Sequence, residues 1–93
     1  MRAIGYDKFG ASAQVLKVVD LPDPTPVEDE VLVKLAFSGV NPSDVKARAG
    51  SRPGVTKPAF DLIVPHSDGS GLITGVGESV DPARIGQRVW IWN

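Results

Sequence analysis

Glycine and proline set the strongest limit on what this chain can fold into. The sequence contains 10 glycines and 8 prolines among 93 residues, and they lie between short apolar runs instead of in one block. This punctuation is typical of an all-β domain with many turns. We therefore expect five or six short strands and one short helix, arranged as a small, partly open β-barrel or a sandwich.

Length and composition indicate one ordinary globular domain. The apolar fraction is 42%, the charged fraction is 23% and the net charge is −1, which gives no electrostatic case for nucleic acid or an anionic membrane. No apolar run approaches the ~18 residues of a membrane span. The absence of cysteine excludes disulfides, thiolate nucleophiles and Cys-based zinc sites, and it fits the cytoplasmic location that we expect.

Alternation of apolar residues predicts the strands. The strongest candidate is Glu30–Ser38, where Val31, Val33, Leu35 and Phe37 share one face that we expect to be buried. Shorter strands are expected at four other places, namely 2–7, 15–19, 72–77 and 89–92. In the strand expected over 72–77, glycine would let a neighbouring backbone approach closely.

The segment Ser38–Asp44 contains the strongest functional candidates. Asn41 is a preferred N-cap, and Pro42 fits the first turn of a short helix that continues through Ala49 and ends near Gly50. Polar groups on a loop held by a strand are where function tends to lie.

Three side chains in this segment have useful chemistry. Asn41 can donate and accept at once, Ser43 can donate to a carbonyl oxygen, and the Asp44 carboxylate is favoured near a helix N-terminus. The alternative explanation, that the three residues only cap and tether the helix, stays open on residue chemistry alone.

Two other motifs have simpler interpretations than a catalytic or nucleotide-binding site. The glycine cluster fails the dinucleotide fingerprint, because Thr74 and Val80 stand where glycine or alanine is required. The chain therefore lacks a nucleotide-binding fold of its own. His66, with Ser67, Asp68 and Ser70 after it, suggests hydrolase chemistry, but neighbours on an extended chain point to opposite faces. A loop histidine bonded to backbone is the simpler interpretation.

Trp90 and Trp92 lie two residues apart and share a strand face. If exposed, they would form an apolar patch meant to be covered. This patch suggests a homodimer or another association, and it supports an alternative in which the chain is a non-catalytic interaction domain.

Several short motifs come in an order that resembles the medium-chain dehydrogenases/reductases. They include Glu30–Lys34, Gly39–Asp44, Arg48–Gly50, Asp68–Gly71 and Gly86–Val89. Within that superfamily the chain is most similar to the zinc-independent quinone oxidoreductase (zeta-crystallin-like) branch.

The resemblance implies that residues 1–93 are a mainly-β, GroES-like partly open β-barrel with one or two short helices. In the family this N-terminal catalytic domain precedes a Rossmann domain that binds NADP(H), and the active site lies between them. The implied activity is hydride transfer from NADPH to a small-molecule quinone or enone. Because the Rossmann domain is absent from these residues, we expect the chain alone to be inactive.

The resemblance also assigns roles. Asn41 and Ser43 become the candidate catalytic residues, while Asn41, Pro42 and Asp44 become the candidate cofactor-binding residues. Asn41 stands where zinc-dependent relatives have a cysteine ligand, and Ser67 stands where they have a histidine ligand, so no metal is expected. His66 falls where many relatives have glycine.

Overall fold

The computed structural model describes residues 1–92 and is built mainly of strands. Along the chain the elements are β1 (Arg2–Gly5), α1 (Ser12–Val15), β2 (Lys17–Asp20), β3 (Val31–Ser38), α2 (Pro42–Ala49), β4 (Gly69–Val76), a 3₁₀ turn (Pro82–Arg84) and β5 (Arg88–Ile91). β1 pairs with β2, and β3, β4 and β5 form a second antiparallel sheet in that order. Over the described residues neither sheet closes on itself, which confirms the mainly-β, partly open architecture expected from the sequence.

The chain divides into two compact units. Unit 1 comprises Met1–Pro22 and Val40–His66, and unit 2 comprises Asp23–Gly39 and the residues from Ser67 onwards. Within residues 1–92, no helix is long and apolar enough to cross a membrane.

Unit 1 is organised around a two-stranded ladder. The ladder runs from the pair Arg2 and Asp20 to the pair Gly5 and Lys17, and Tyr6 extends it by bridging to Ile63. Tyr6 and Val15 are the buried large side chains of this unit, at 4% and 5% exposure.

Unit 2 is a three-stranded sheet with β4 at its centre. Ile73 of β4 is 1% exposed and forms the core of this unit. A Cβ added at Gly71 would overlap the carbonyl oxygen of Lys34, and one at Gly77 would overlap that of Glu28. The predicted close approach of a neighbouring backbone to the glycines of this region is therefore confirmed at Gly77.

The sequence prediction of a strand over Val15–Val19 was wrong at its start. The backbone N–H groups of Gln14 and Val15 both donate to the carbonyl oxygen of Ala11, at 2.9 and 3.1 Å, and this closes a helical turn. The strand begins only at Lys17, while Val15 packs inward from the end of α1.

The prediction that the Phe37 face of β3 is buried was also wrong. Leu35 is 49% exposed and Phe37 is 74% exposed. The pairing of β3 with β4 shifts register between Leu32 and Val33 and again between Leu35 and Phe37. A bulge redirects the side chains of a strand, and the residues opposite Leu35 and Phe37, Gly71 and Ser70, are too small to cover them.

Candidate functional site

The start of α2 is fixed by reciprocal bonds between its N-cap and its third residue. Asn41 is extended (φ −123°, ψ 158°), and Pro42 occupies the first turn. The backbone N–H of Asn41 donates to Asp44 Oδ2 at 2.7 Å, and the N–H of Asp44 donates to the carbonyl oxygen of Asn41 at 3.0 Å. The bond to the Asp44 carboxylate is the one that the third helical residue supplies in a capping box. The predicted helix is thus confirmed, and it begins at Pro42.

The end of α2 is also as predicted. Gly50 adopts the left-handed conformation (φ 74°, ψ 36°), and its N–H donates to the carbonyl oxygen of Ala47 at 3.2 Å. A Cβ at this glycine would lie 2.6 Å from Cδ2 of Phe9, so the helix end lies against that ring.

A second contact holds α2 to the loop after β1. The N–H of Gly10 donates to the carbonyl oxygen of Arg48 at 3.0 Å, and Nε of Arg48 donates back to the carbonyl oxygen of Gly10 at 3.3 Å. Both ends of α2 and its last turn are therefore held in place within unit 1.

One face of α2 lines a cavity of about 450 Å³ that lies wholly within unit 1. Ser43, Lys46 and Ala47 contribute this face, as expected for positions three and four apart on a helix. Tyr6, Phe9 and Ile63 provide apolar and aromatic walls, and the remaining lining residues, Ser51, Arg52, Val55, Pro58 and Ala59, come from the segment after α2.

The candidate residues divide between this cavity and its support. Ser43 is the candidate that lines it, while Asn41, Pro42 and Asp44 form the start of the helix that carries Ser43. The Asp44 carboxylate is bonded to the Asn41 backbone and so holds the turn in shape. Two of the lining residues, Ser43 and Tyr6, carry hydroxyl groups, and most of the lining is apolar, which suits an apolar molecule that carries a carbonyl group.

Two cations that line the cavity, Lys46 and Arg52, were not among the candidate residues predicted from the sequence. A signal for Lys46 was present, because it lies three residues after Ser43 on the same helix face. Arg52 follows the helix in irregular chain, and no sequence period predicts its direction.

The residues of the histidine motif lie in irregular chain and at the start of β4. His66 is exposed and has a positive φ of 83°. In unit 2 the carbonyl oxygen of Asp68 accepts from the N–H of Gly39 at 2.9 Å, and Ser70 lies in β4 opposite Phe37 and Trp90. Within residues 1–92, no group of three His, Cys, Asp or Glu side chains could hold a metal ion.

The glycine cluster lies within β4 and not at a strand-to-helix turn, in agreement with its interpretation as a packing element. Both tryptophans are exposed, Trp90 at 71% and Trp92 at 81%. The association expected through this pair of tryptophans stays a prediction.

Comparison with known proteins decides the family. Residues 27–93, most of the chain, match the alcohol dehydrogenase GroES-like domain. The chain belongs to this family. It is 38% identical to an alcohol dehydrogenase of Moraxella sp. over 96 residues, covering 100% of the chain and 27% of the relative. It is 41% identical to the quinone oxidoreductase of Lama guanicoe, covering 97% of the chain and 26% of the relative.

A solved structure agrees. The quinone oxidoreductase of Escherichia coli in complex with NADPH superposes with a TM-score of 0.77 at 26% identity, over 97% of this chain and 26% of that one. The chain thus spans about a quarter of the length of these relatives. The resemblance to quinone oxidoreductases and the GroES-like fold are confirmed.

Proposed function

We propose that this chain is the substrate-side domain of an NADPH-dependent quinone or enone oxidoreductase that works without zinc. Support comes from relatives named quinone oxidoreductase and from the neighbour solved with NADPH. The observation that carries the proposal is the placement of Ser43: it lies in the first turn of the helix that Asn41 caps, and it lines the same cavity as Tyr6.

The roles follow from side-chain chemistry. NADPH, when bound, supplies the hydride. Ser43 donates a hydrogen bond to the carbonyl oxygen of the acceptor as negative charge develops there, or relays a proton to it. Asn41 orients the nicotinamide or the acceptor through its carboxamide, while Pro42 and Asp44 keep the turn rigid.

The residues present fit only one end of the cofactor. Asp44 already occupies the N-terminus of α2, and the glycines of β4 are paired in a sheet, so neither region offers a cradle for phosphates. The phosphates would be held by a Rossmann domain outside these residues. We therefore expect the 93-residue chain alone neither to bind NADPH tightly nor to reduce a quinone.

The zinc-free assignment rests on donor chemistry. Structural and catalytic zinc prefers thiolate, imidazole and carboxylate ligands, whereas Asn41 offers an amide and Ser67 a hydroxyl. The cytoplasmic location expected from the sequence stays a prediction.

The deciding experiment measures NADPH oxidation with 1,4-benzoquinone by the complete gene product that contains this chain. We expect quinone-dependent oxidation that survives treatment with a metal chelator. No reduction of any quinone or enone would contradict the proposed activity, and loss on chelation that zinc restores would contradict the zinc-free part. A saturable rise in NADPH fluorescence with the 93-residue chain would contradict the inactivity of the chain alone.

The exposure of Trp90 and Trp92 favours a second candidate, a non-catalytic interaction domain whose patch is covered by a second copy or another protein. Size-exclusion chromatography with light scattering separates the two candidates. An interaction domain predicts association that is lost in Trp90→Ser. A monomer with shielded tryptophan fluorescence would contradict an exposed docking surface.

A further inference from the structure

We propose that the cavity of unit 1 selects acceptors that carry an anionic group, such as a carboxylate, at a distance from the carbonyl that is reduced. This inference rests on the proposed function, because it specifies the substrate class of the same site. The inference goes beyond the proposed function by assigning substrate specificity to Lys46 and Arg52.

The charge of the lining carries the argument. Lys46 and Arg52 contribute two positive charges, and no acidic residue lines the cavity. Across residues 1–92 neither side chain has an ion pair or a hydrogen bond to protein, so both cations are available to a ligand. An unneutralised pair of cations beside apolar walls matches a molecule with an apolar body and an anionic end.

Lys46 lies close to Ser43, the residue that we propose bonds to the carbonyl oxygen of the acceptor. Lys46 is one helical turn after Ser43 on the same face of α2, and both side chains line the cavity. A ligand whose carbonyl oxygen accepts from Ser43 would therefore lie within reach of Lys46. Arg52 adds a planar group that can bind a carboxylate through two parallel hydrogen bonds.

Unit 1, which contains the cavity, carries a net positive charge. Unit 1 contains seven lysines and arginines against four aspartates and no glutamate. One of those aspartates, Asp7, is paired with Lys17, and another, Asp44, is bonded to the backbone of Asn41. The field of this unit therefore favours the approach of anions, and added salt would weaken that effect.

The test uses the complete gene product and a matched pair of enones, 4-(4-carboxyphenyl)but-3-en-2-one and its methyl ester. We expect the ratio of kcat/KM for the acid to kcat/KM for the ester to exceed one and to fall about tenfold in Lys46→Gln/Arg52→Gln. Lys57→Gln removes a cation of the same segment that does not line the cavity, and it should keep the wild-type ratio. Equal efficiency for acid and ester, or an equal loss in Lys57→Gln, would overturn the inference.

A binding measurement separates this inference from the activity. Calorimetric titration compares the saturated ketone, 4-(4-carboxyphenyl)butan-2-one, with its methyl ester in the same variants. If no enone or quinone is reduced but the acid binds more tightly through Lys46 and Arg52, the activity fails and the anion site stands. If the ester is reduced and the acid shows no advantage in either measurement, the activity stands and the anion site is wrong.

Discussion

Asn41 and Asp44 hold each other in place at the start of α2. The N–H of Asn41 donates to the Asp44 carboxylate at 2.7 Å, and the N–H of Asp44 donates to the Asn41 carbonyl oxygen at 3.0 Å. The pair sets the backbone direction from which Ser43 reaches the cavity of unit 1. Asp44 therefore acts by fixing the shape of the turn, whereas the proposed role of Asn41 depends on its carboxamide. Substitutions at the two positions can test these roles separately.

Asp44→Ala should destabilise the protein by about 1 kcal/mol, the usual loss for a helix cap, because the N–H of Asn41 loses its acceptor. Asp44→Asn keeps an acceptor oxygen and should lose less. Urea denaturation measures both free energies of unfolding. Equal stability of Asp44→Ala and the wild type would show that the bond contributes nothing.

Substitutions at Gly50 and Gly54 test whether the end of α2 packs against Phe9. Both glycines have positive φ, 74° and 79°, so alanine at either position carries the cost of the left-handed region, about 1–2 kcal/mol. A Cβ at Gly54 meets nothing within 4 Å, whereas one at Gly50 overlaps the Phe9 ring. Gly50→Ala should therefore lower the free energy of unfolding more than Gly54→Ala. Equal losses would mean that Phe9 does not pack there.

The start of α2 could be predicted from sequence, and much of unit 2 could not. The helix begins and ends through residues that affect only the backbone one or two positions away, so their effect can be predicted from the local sequence. These residues are Asn41, Pro42 and Gly50. The exposure of Phe37 follows from bulges that exist only when β3 pairs with β4, and no alternation within β3 encodes them. Arg52 reaches the cavity through irregular chain, which has no period to follow.

The Asp7–Lys17 pair predicts a dependence of stability on pH and salt. A hydrogen bond from Lys17 Nζ at 2.6 Å, together with the positive charge of that group, lowers the pKa of Asp7. Because the folded pKa lies below the unfolded value of about 3.9, the contribution is present above that pH and is lost as the pH falls through the folded pKa.

The measurement compares thermal midpoints of the wild type and Lys17→Gln. The wild type should be slightly more stable at neutral pH, and the difference should disappear in acid and shrink in about 1 M salt, where the Debye length is ~3 Å. A difference that grows in acid would contradict the pairing.

His66 should prefer glycine to alanine. Its φ of 83° lies where glycine has no steric cost, so His66→Gly should be more stable than His66→Ala by about 1 kcal/mol, the reverse of the order in a helix. The same His66→Ala variant tests the hydrolase alternative, because it would abolish any hydrolysis that used the only histidine. Greater stability of the alanine variant would argue against the left-handed conformation.

The role of Asn41 in hydride transfer is the central claim, and kinetics of Asn41→Ser in the complete gene product test it most directly. Serine is also a preferred N-cap, so α2 should keep its start while the carboxamide is lost. We predict a fall in kcat/KM of about tenfold or more, equivalent to about 1.4 kcal/mol, with the thermal midpoint close to that of the wild type. Unchanged kinetics with unchanged stability would contradict the claim and leave Asn41 as a helix cap alone.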